Sequence, residues 1–306
     1  MGATLNLEPL DGVTFGAWVH DLDVRTLDDT TFEALHEAWM HYALLLFPDQ
    51  FLTKQEQDTF AARFGKLEFK AAAISNVTRG GKVHSADDDD IVKSLKGNQG
   101  WHFDSTYMPV QAKGAVFTAE LVPPGGGDTA WADMRAAYDE LNDDDRQFVD
   151  SHQALHSLYY SQGRAGLLPT KNEDGGYGMY GYHDEAVSLR PMTKVHPITG
   201  RTNLCIGRHA HDVVGLDKDE STAVIDRLND EACQAPRTYQ HQWTAGEAVI
   251  WDNRCIMHKG VPWKMDEPRI MWHTRIAGEP ETEAALNHQG VSTETAPMGS
   301  LQFEVE

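Results

Sequence analysis

The amino-acid sequence predicts a mainly β fold with flanking helices. Three observations carry that reading. Short apolar runs bounded by Gly and Pro crowd the middle and C-terminal parts, as in "GAVFTAELVPP", "YQHQWTAGEAVIWDNRCIMHKG" and "PRIMWHTRIAG". Helical periodicity is confined to a few segments, chiefly "LDDTTFEALHEAWMHYALLLFP" and "DESTAVIDRLNDEACQ". No fixed repeat and no long Ser/Pro linker divides the 306 residues, so 1–280 reads as one domain and 281–306 as a polar C-terminal tail.

Taken in order, Phe32, Leu35, Trp39 and Tyr42 recur at helical spacing, with Asp28 to Thr30 as a cap and Pro48 as a stop. The closing "ALLLF" reads as a buried strand. Thr53 and Glu56 fit a capping box for a short helix that ends at Gly65. Residues 70–100 are polar, Gly-punctuated and acidic in the middle. They are expected to form a lid loop, with Asp87 to Asp90 as solvated surface. Pro123 and Pro124 stop the next strand, and "GGGDTAWADMRAAYDEL" supplies a turn, a short strand and a helix. "TKVHPITGRTNLCIG" predicts a hairpin around Thr199 and Gly200.

Composition narrows the function classes. The formal net charge of -21 repels nucleic acid and anionic membrane, so any anionic ligand needs local arginines set against that field. The longest apolar run, "YALLLF" at 42–47, is far short of the roughly 18 residues that span a bilayer. Cys205, Cys233 and Cys255 show no CxxC spacing, which argues against a disulfide framework or a thiolate zinc site. The N-terminus lacks a basic segment followed by an apolar stretch. A cytoplasmic homo-oligomer that takes a small anionic molecule is the expectation, with no nucleic-acid or membrane partner.

The stretch "GNQGWHFDSTYMPV" places His102 and Asp104 two apart, which in a strand puts both on one face and Phe103 on the other. Such a pair is either a hydrogen-bonded structural couple or half of a metal site. "HEAWM" from His36 fails the HExxH zinc pattern, since Met40 stands where the second histidine belongs. A distant third ligand is available in His258 of "VIWDNRCIMHKG". Two histidines and one carboxylate cap one face of an octahedral ion and leave three positions open, which suits non-heme Fe(II). Arg269 lies eleven positions after His258 and shares a strand face with Met271, His273 and Arg275. Its guanidinium could fork onto the far carboxylate of a bound diacid, with the Thr129 hydroxyl beside it. His209-x-His211 is also a metal-like spacing, but no carboxylate accompanies it. It reads as structural or substrate-facing.

"WHFDSTY", "GGDTAWADMRAAYDEL", "WDNRCIMHKG" and "PRIMWHTRIAG", in that order and separation, resemble the taurine/2,4-D dioxygenase family of Fe(II)/2-oxoglutarate enzymes over residues 5–280. "STYMPV", "GRTNLCIGRHAH", "CQAPR" and "MWHTRIAG" are most similar to its aryloxyalkanoate branch, which acts on (S)-2-phenoxypropionates. The resemblance implies a double-stranded β-helix (jelly roll, cupin-like) core. It implies Fe(II) on His102, Asp104 and His258, with 2-oxoglutarate on Thr129 and Arg269, and O2 as the oxidant. It implies hydroxylation beside an ether oxygen, releasing succinate, CO2, a phenol and pyruvate. The family's substrate-anion arginine falls on His273 here, and Arg275 is the nearest arginine, so the anion clamp is one of these two. Asn98, Phe103, Tyr107, His209 and His211 are the further candidates to meet substrate. Two rivals stay open: the same chemistry on a sulfonate, sulfate ester or natural-product acid, and a non-catalytic cupin-like metal-binding protein.

Overall fold

The computed structural model describes residues 4–288 and 290, apart from 79, 174, 178 and 184. Its strands in chain order are β1 (Asn6–Pro9), β2 (Ala17–His20), β3 (Leu44–Phe47), β4 (Leu67–Ser75), β5 (Gly114–Leu121), β6 (Thr129–Asp133), β7 (Gln153–His156) and β8 (Ser188–Pro191). They continue as β9 (Thr193–Val195), β10 (Thr202–Leu204), β11 (Ala210–Val213), β12 (Thr238–His241), β13 (Ala248–Asp252), β14 (Ile256–Gly260) and β15 (Ile270–Ile276). The helices are α1 (Asp29–Tyr42), α2 (Lys54–Ala62), α3 (Asp90–Gly97), α4 (Met134–Asp139), α5 (Asp143–Ser151), α6 (Leu158–Arg164), α7 (Lys218–Ala232) and α8 (Pro280–Glu283). None is long and apolar enough to cross a membrane.

The principal sheet has the order β1-β2-β3-β13-β5-β15-β4, joining the start of the chain to residue 276. A facing three-stranded sheet, β12-β6-β14, is opposed to it, and β11-β7-β8 and the hairpin β9-β10 complete the β structure. This is the mainly β fold with helices outside that the sequence predicts, and it agrees with the jelly roll that the family resemblance implies.

The unbroken apolar run "LLLF" follows from β3's place. Leu45 and Phe47 pack with Leu35, Trp39, Phe60 and Phe64 of the α1 and α2 layer. Leu44 and Leu46 point the other way, to a second core with Trp131 and Ile256 of the facing sheet. A strand covered on both faces has no polar side to present. The caps behave as read. Asp28 accepts from the Thr31 N–H at the start of α1, and Thr53 and Glu56 form a reciprocal capping box on α2. The predicted hairpin is β9-β10, with Val195 opposite Thr202.

Residues 70–100 differ from the expected loop. β4 carries the sheet edge through Ser75, and α3 occupies Asp90–Gly97. The acidic run is also more than solvated surface. Asp89 caps α3 at the Ile91 N–H and binds His84, while Asp90 accepts from the Thr170 N–H at 2.9 Å. Carboxylates at a helix start satisfy N–H groups that no carbonyl reaches.

Trp131 sits between the sheets, wholly buried, with ring centroids 6.1 Å from Trp251 and 6.2 Å from Trp243. Trp131→Ala is expected to cost about 3–5 kcal/mol of unfolding free energy by denaturant titration, because so large a void cannot close between two sheets.

Candidate active site

His102 and His258 face each other across an isolated antiparallel bridge. The His102 N–H donates to the His258 carbonyl at 3.0 Å and the His258 N–H donates back at 2.8 Å. Side chains directly opposed on a ladder share a face, and the two ring centroids lie 4.2 Å apart. Asp104 follows in a turn, with Ser105 at φ 58°. The i, i+2 spacing therefore brings Asp104 to the histidines through a turn, since the ladder pairing belongs to His102 alone. One potential ligand atom from each of His102, Asp104 and His258 lies within 4.8 Å of the others.

The turn is held from several sides. Asn253, at the end of the "WDN" of β13, accepts from the Asp104 N–H at 2.8 Å and donates to the Asp104 carbonyl at 3.0 Å. Its amide stands in for a neighbouring strand. The buried Arg190 donates to the Thr106 and Met108 carbonyls at 2.7 and 2.9 Å. Behind His102, Gly207 has φ 111°, and a Cβ there would meet the Met257 sulfur at 2.9 Å and the Trp101 carbonyl at 3.1 Å. Only glycine lets that chain pass so close.

The electrostatics prepare a cation site. The Gly100 carbonyl can only accept, so the 2.7 Å contact places a proton on His102 Nδ1 and leaves Nε2 with its lone pair. Burial pushes His102 down to about 4 and His258 well below its ordinary range, so both rings are neutral near pH 7. Burial pushes the Asp104 carboxyl up, but Arg275 beside it, with His258 and His273, overrides that and holds it well below the usual carboxylate range. Arg275 Nη2 donates to Asp104 Oδ1 at 2.7 Å. Oδ2 is buried with no hydrogen-bond partner among the described residues, 3.9 Å from His258 Nε2. A buried anionic oxygen without a donor is costly. A divalent ion bound by two neutral imidazoles and this oxygen removes the cost, so the donor set fits Fe(II).

The triad opens on a cavity that also holds Thr129, Arg269, Phe117, Trp251 and Trp263. Arg269 Nε donates to the Gly127 carbonyl at 2.9 Å, and its guanidinium lies 5.1 Å from the Trp263 ring centroid. Its two terminal nitrogens make no hydrogen bond among the described residues. Burial pushes this arginine down to about 10. Gly127, at φ 71°, has no Cβ to strike Arg269 Cδ at 3.1 Å. Thr129 Oγ accepts from the Trp243 indole N–H at 3.0 Å, which leaves its own O–H to donate to another partner. A buried guanidinium whose terminal nitrogens are free among the described residues, lining the same cavity as a hydroxyl, has the chemistry to bind a carboxylate.

A second cavity adjoins the first and shares Asn98, Tyr107, His273 and Arg275 with it. Phe69, Leu167, Pro169, Met179 and Tyr182 form its outer wall. His209 lines the inner cavity, its Nδ1 2.8 Å from Ser161 Oγ. Two expected substrate residues stand elsewhere. Phe103 packs in the core with Met134, Leu204 and Ile206, on the far side of its backbone from the ligands. His211 stacks on Tyr160 and binds Asp212. Arg275 is no surface residue but the partner of Asp104, and His273 Nε2 lies 3.5 Å from the same carboxylate.

Three residues escaped the sequence reading. Asn253 had a faint signal in its place between β13 and the His258 strand. Glu68 had none, since it reaches the site only through folding. Arg208, beside the recognised "GRHAH", donates to Gln162 at 2.7 Å, and burial pushes it down to about 10 with no carboxylate partner among the described residues.

Comparison with known proteins agrees with this geometry. Residues 6–275 match the family described as "Taurine catabolism dioxygenase TauD, TfdA family". The chain is 55% identical to an (S)-phenoxypropionate/alpha-ketoglutarate-dioxygenase of Sphingobium herbicidovorans, over 94% of this chain and 100% of that one. It is 51% identical to the protein of the same description from Delftia acidovorans, over 93% and 99%. A crystal structure of AAD-2 in complex with Mn(II) and N-oxalylglycine superposes with a TM-score of 0.83 at 32% identity, covering 93% of this chain and 99% of that chain.

The neutral buried histidines set a pH dependence. His102 takes its proton at about 4 when folded and near 6.5 when unfolded. Between those values the unfolded chain binds more protons, so the metal-free protein is expected to lose stability as pH falls from about 6.5 toward 4. A urea series across that window checks it; a flat midpoint contradicts neutral burial.

Proposed function

The chain belongs to the TauD, TfdA dioxygenase family and is an alpha-ketoglutarate-dependent dioxygenase; from that premise we propose how its residues divide the work and which substrate they receive. His102, Asp104 and His258 hold Fe(II), and residues 1–280 act as one catalytic domain. The observation that carries the reading is the convergence, in one cavity, of this triad with the Arg269 guanidinium and the hydroxyl of Thr129. Fe(II) bound there, with 2-oxoglutarate and O2, supplies the oxidising chemistry that hydroxylates a substrate C–H while 2-oxoglutarate leaves as succinate and CO2. Arg269 and Thr129 receive the distal carboxylate of 2-oxoglutarate and fix its distance from the triad. Trp251, Phe117 and Trp263 wall the inner cavity and keep water from the reacting groups.

The substrate is an aryloxyalkanoate such as (S)-2-phenoxypropionate, the class named for the two relatives at 55% and 51% identity. The outer cavity suits it, because Phe69, Leu158, Leu167 and Met179 offer an aryl ring an apolar wall. Arg275 is committed to Asp104, and His273 is neutral through burial, so neither is the free positive charge a substrate carboxylate needs. Arg208 is that charge. It stands behind Gln162 and close to Tyr107 and Tyr182, all three of which line the outer cavity. Hydroxylation beside the ether oxygen then yields a hemiketal that falls apart to a phenol and pyruvate.

A panel of (S)- and (R)-2-phenoxypropionate, phenoxyacetate, an alkyl sulfate and taurine, read by succinate and phenol release, tests the reading. Phenol and succinate in equal amounts from an aryloxyalkanoate are expected. Succinate driven only by the sulfur compounds moves the enzyme to another substrate. Arg269→Ala is expected to raise the 2-oxoglutarate KM roughly 10- to 100-fold while iron is retained, the loss of charge-assisted hydrogen bonds. Arg208→Gln is expected to raise the aryloxyalkanoate KM roughly tenfold and leave the 2-oxoglutarate KM alone. The reverse pattern reassigns the two arginines.

A further inference from the structure

Glu68, on β4, lines neither cavity, yet its side chain is only 16% exposed and lies among groups that reach the metal triad. Arg275 connects the two carboxylates. Its Nη2 donates to Asp104 Oδ1 at 2.7 Å, its Nη1 donates to Ser105 Oγ at 2.9 Å, and its Nε lies 3.9 Å from Glu68 Oε2. The Ser105 hydroxyl sits 3.2 and 3.3 Å from the two Glu68 oxygens. Tyr180 closes the ring of contacts, its hydroxyl donating to Glu68 and lying 3.0 Å from Ser105 Oγ. The guanidinium is held between rings as well, 4.7 Å from the Phe69 centroid and 5.2 Å from that of Tyr180.

We propose that Glu68 is a positioning residue for the metal site: by engaging Arg275 directly and through Ser105 on the side away from Asp104, it keeps Arg275 on one Asp104 oxygen and leaves the other free for the ion. The reasoning rests on the assignment of His102, Asp104 and His258 as metal ligands. Left alone, an arginine and a carboxylate settle into a two-bond fork that occupies both oxygens. Here a second carboxylate stands on the other side of Arg275, 3.9 Å from its Nε, which makes no hydrogen bond among the described residues. Of the two Asp104 oxygens only Oδ1 accepts from Arg275, and Oδ2, 3.5 Å from His273 Nε2, has no hydrogen-bond partner among the described residues. Removing the Glu68 charge removes that second attraction, and Arg275 swings into the fork and competes with the metal for Oδ2. Tyr180 extends the effect outward. It belongs to the same wall of the outer cavity as Met179 and Tyr182, so the wall that meets substrate is tied by one hydroxyl to the residue that steadies the metal ligand.

Mn(II) binding to the full-length metal-free protein, followed by the electron paramagnetic resonance of the free ion, tests this without turnover. Glu68→Gln is expected to weaken Mn(II) about tenfold, the scale on which groups behind metal ligands act, and Glu68→Asp to recover part of the loss. The visible band of the anaerobic Fe(II)–2-oxoglutarate complex is expected to shift in Glu68→Gln. A merely structural Glu68 lowers the metal-free melting temperature and leaves the Mn(II) affinity and the band at their wild-type values, which overturns the proposal. Should Glu68→Gln not fold, Tyr180→Phe carries the test, with weaker Mn(II) binding expected and wild-type affinity overturning it. His102→Ala is the control. If wild type and His102→Ala bind Mn(II) equally, the ligand assignment has failed; if only His102→Ala loses it while Glu68→Gln does not, the Glu68 role alone has failed.

Discussion

One carboxylate oxygen with no donor organises this protein. Asp104 Oδ2 is buried with no hydrogen-bond partner within ordinary reach among the described residues, 3.5 Å from His273 Nε2 and 3.9 Å from His258 Nε2. Inside a protein that is an unfavourable state unless a cation arrives. The surroundings maintain it. Asn253 grips the Asp104 backbone, Arg190 the turn that follows, and Arg275 the other carboxylate oxygen. An aspartate held at backbone and side chain alike keeps Oδ2 turned toward the histidines, the arrangement on which the proposed metal site rests.

The sandwich supplies the rigidity. The same apolar cluster that joins the sheets, through Phe117, Trp131, Trp251 and Met271, runs on into the wall of the inner cavity, where Phe117 and Trp251 reappear beside His258. Core and site share side chains. The dryness that lowers the pKa values of Arg269 and the histidines is therefore a property of the sheet packing, and no separate shield is needed.

Charge is handled locally against an adverse whole. The chain carries a formal charge of -21, so anionic ligands approach against its field. Three arginines near the cavities answer this in different ways. Arg275 donates to Asp104 and Ser105, and among the described residues the terminal nitrogens of Arg269 make no hydrogen bond and the Arg208 guanidinium donates to the neutral Gln162. What separates a structural guanidinium from a ligand-binding one is whether a carboxylate has reached it first.

Much of this was legible in the chain. His102, Asp104, His258, Thr129 and Arg269 were picked out by residue type, spacing and family resemblance, and the fold brings all five to one cavity. The strand-rich fold and the caps at Asp28 and Thr53 were equally readable, since periodicity and capping are local. Other features depend on partners remote in the chain. Arg275 meets Asp104 across 171 positions, and Tyr180 meets Glu68 across 112. Before folding, Arg275 is only an arginine on a strand, free to clamp substrate; Phe103 and His211 are only aromatic and basic neighbours of a motif. Tertiary structure decided their roles, because which oxygen a guanidinium takes, and which side of a turn a ring packs on, depends on groups that sequence spacing does not bring near.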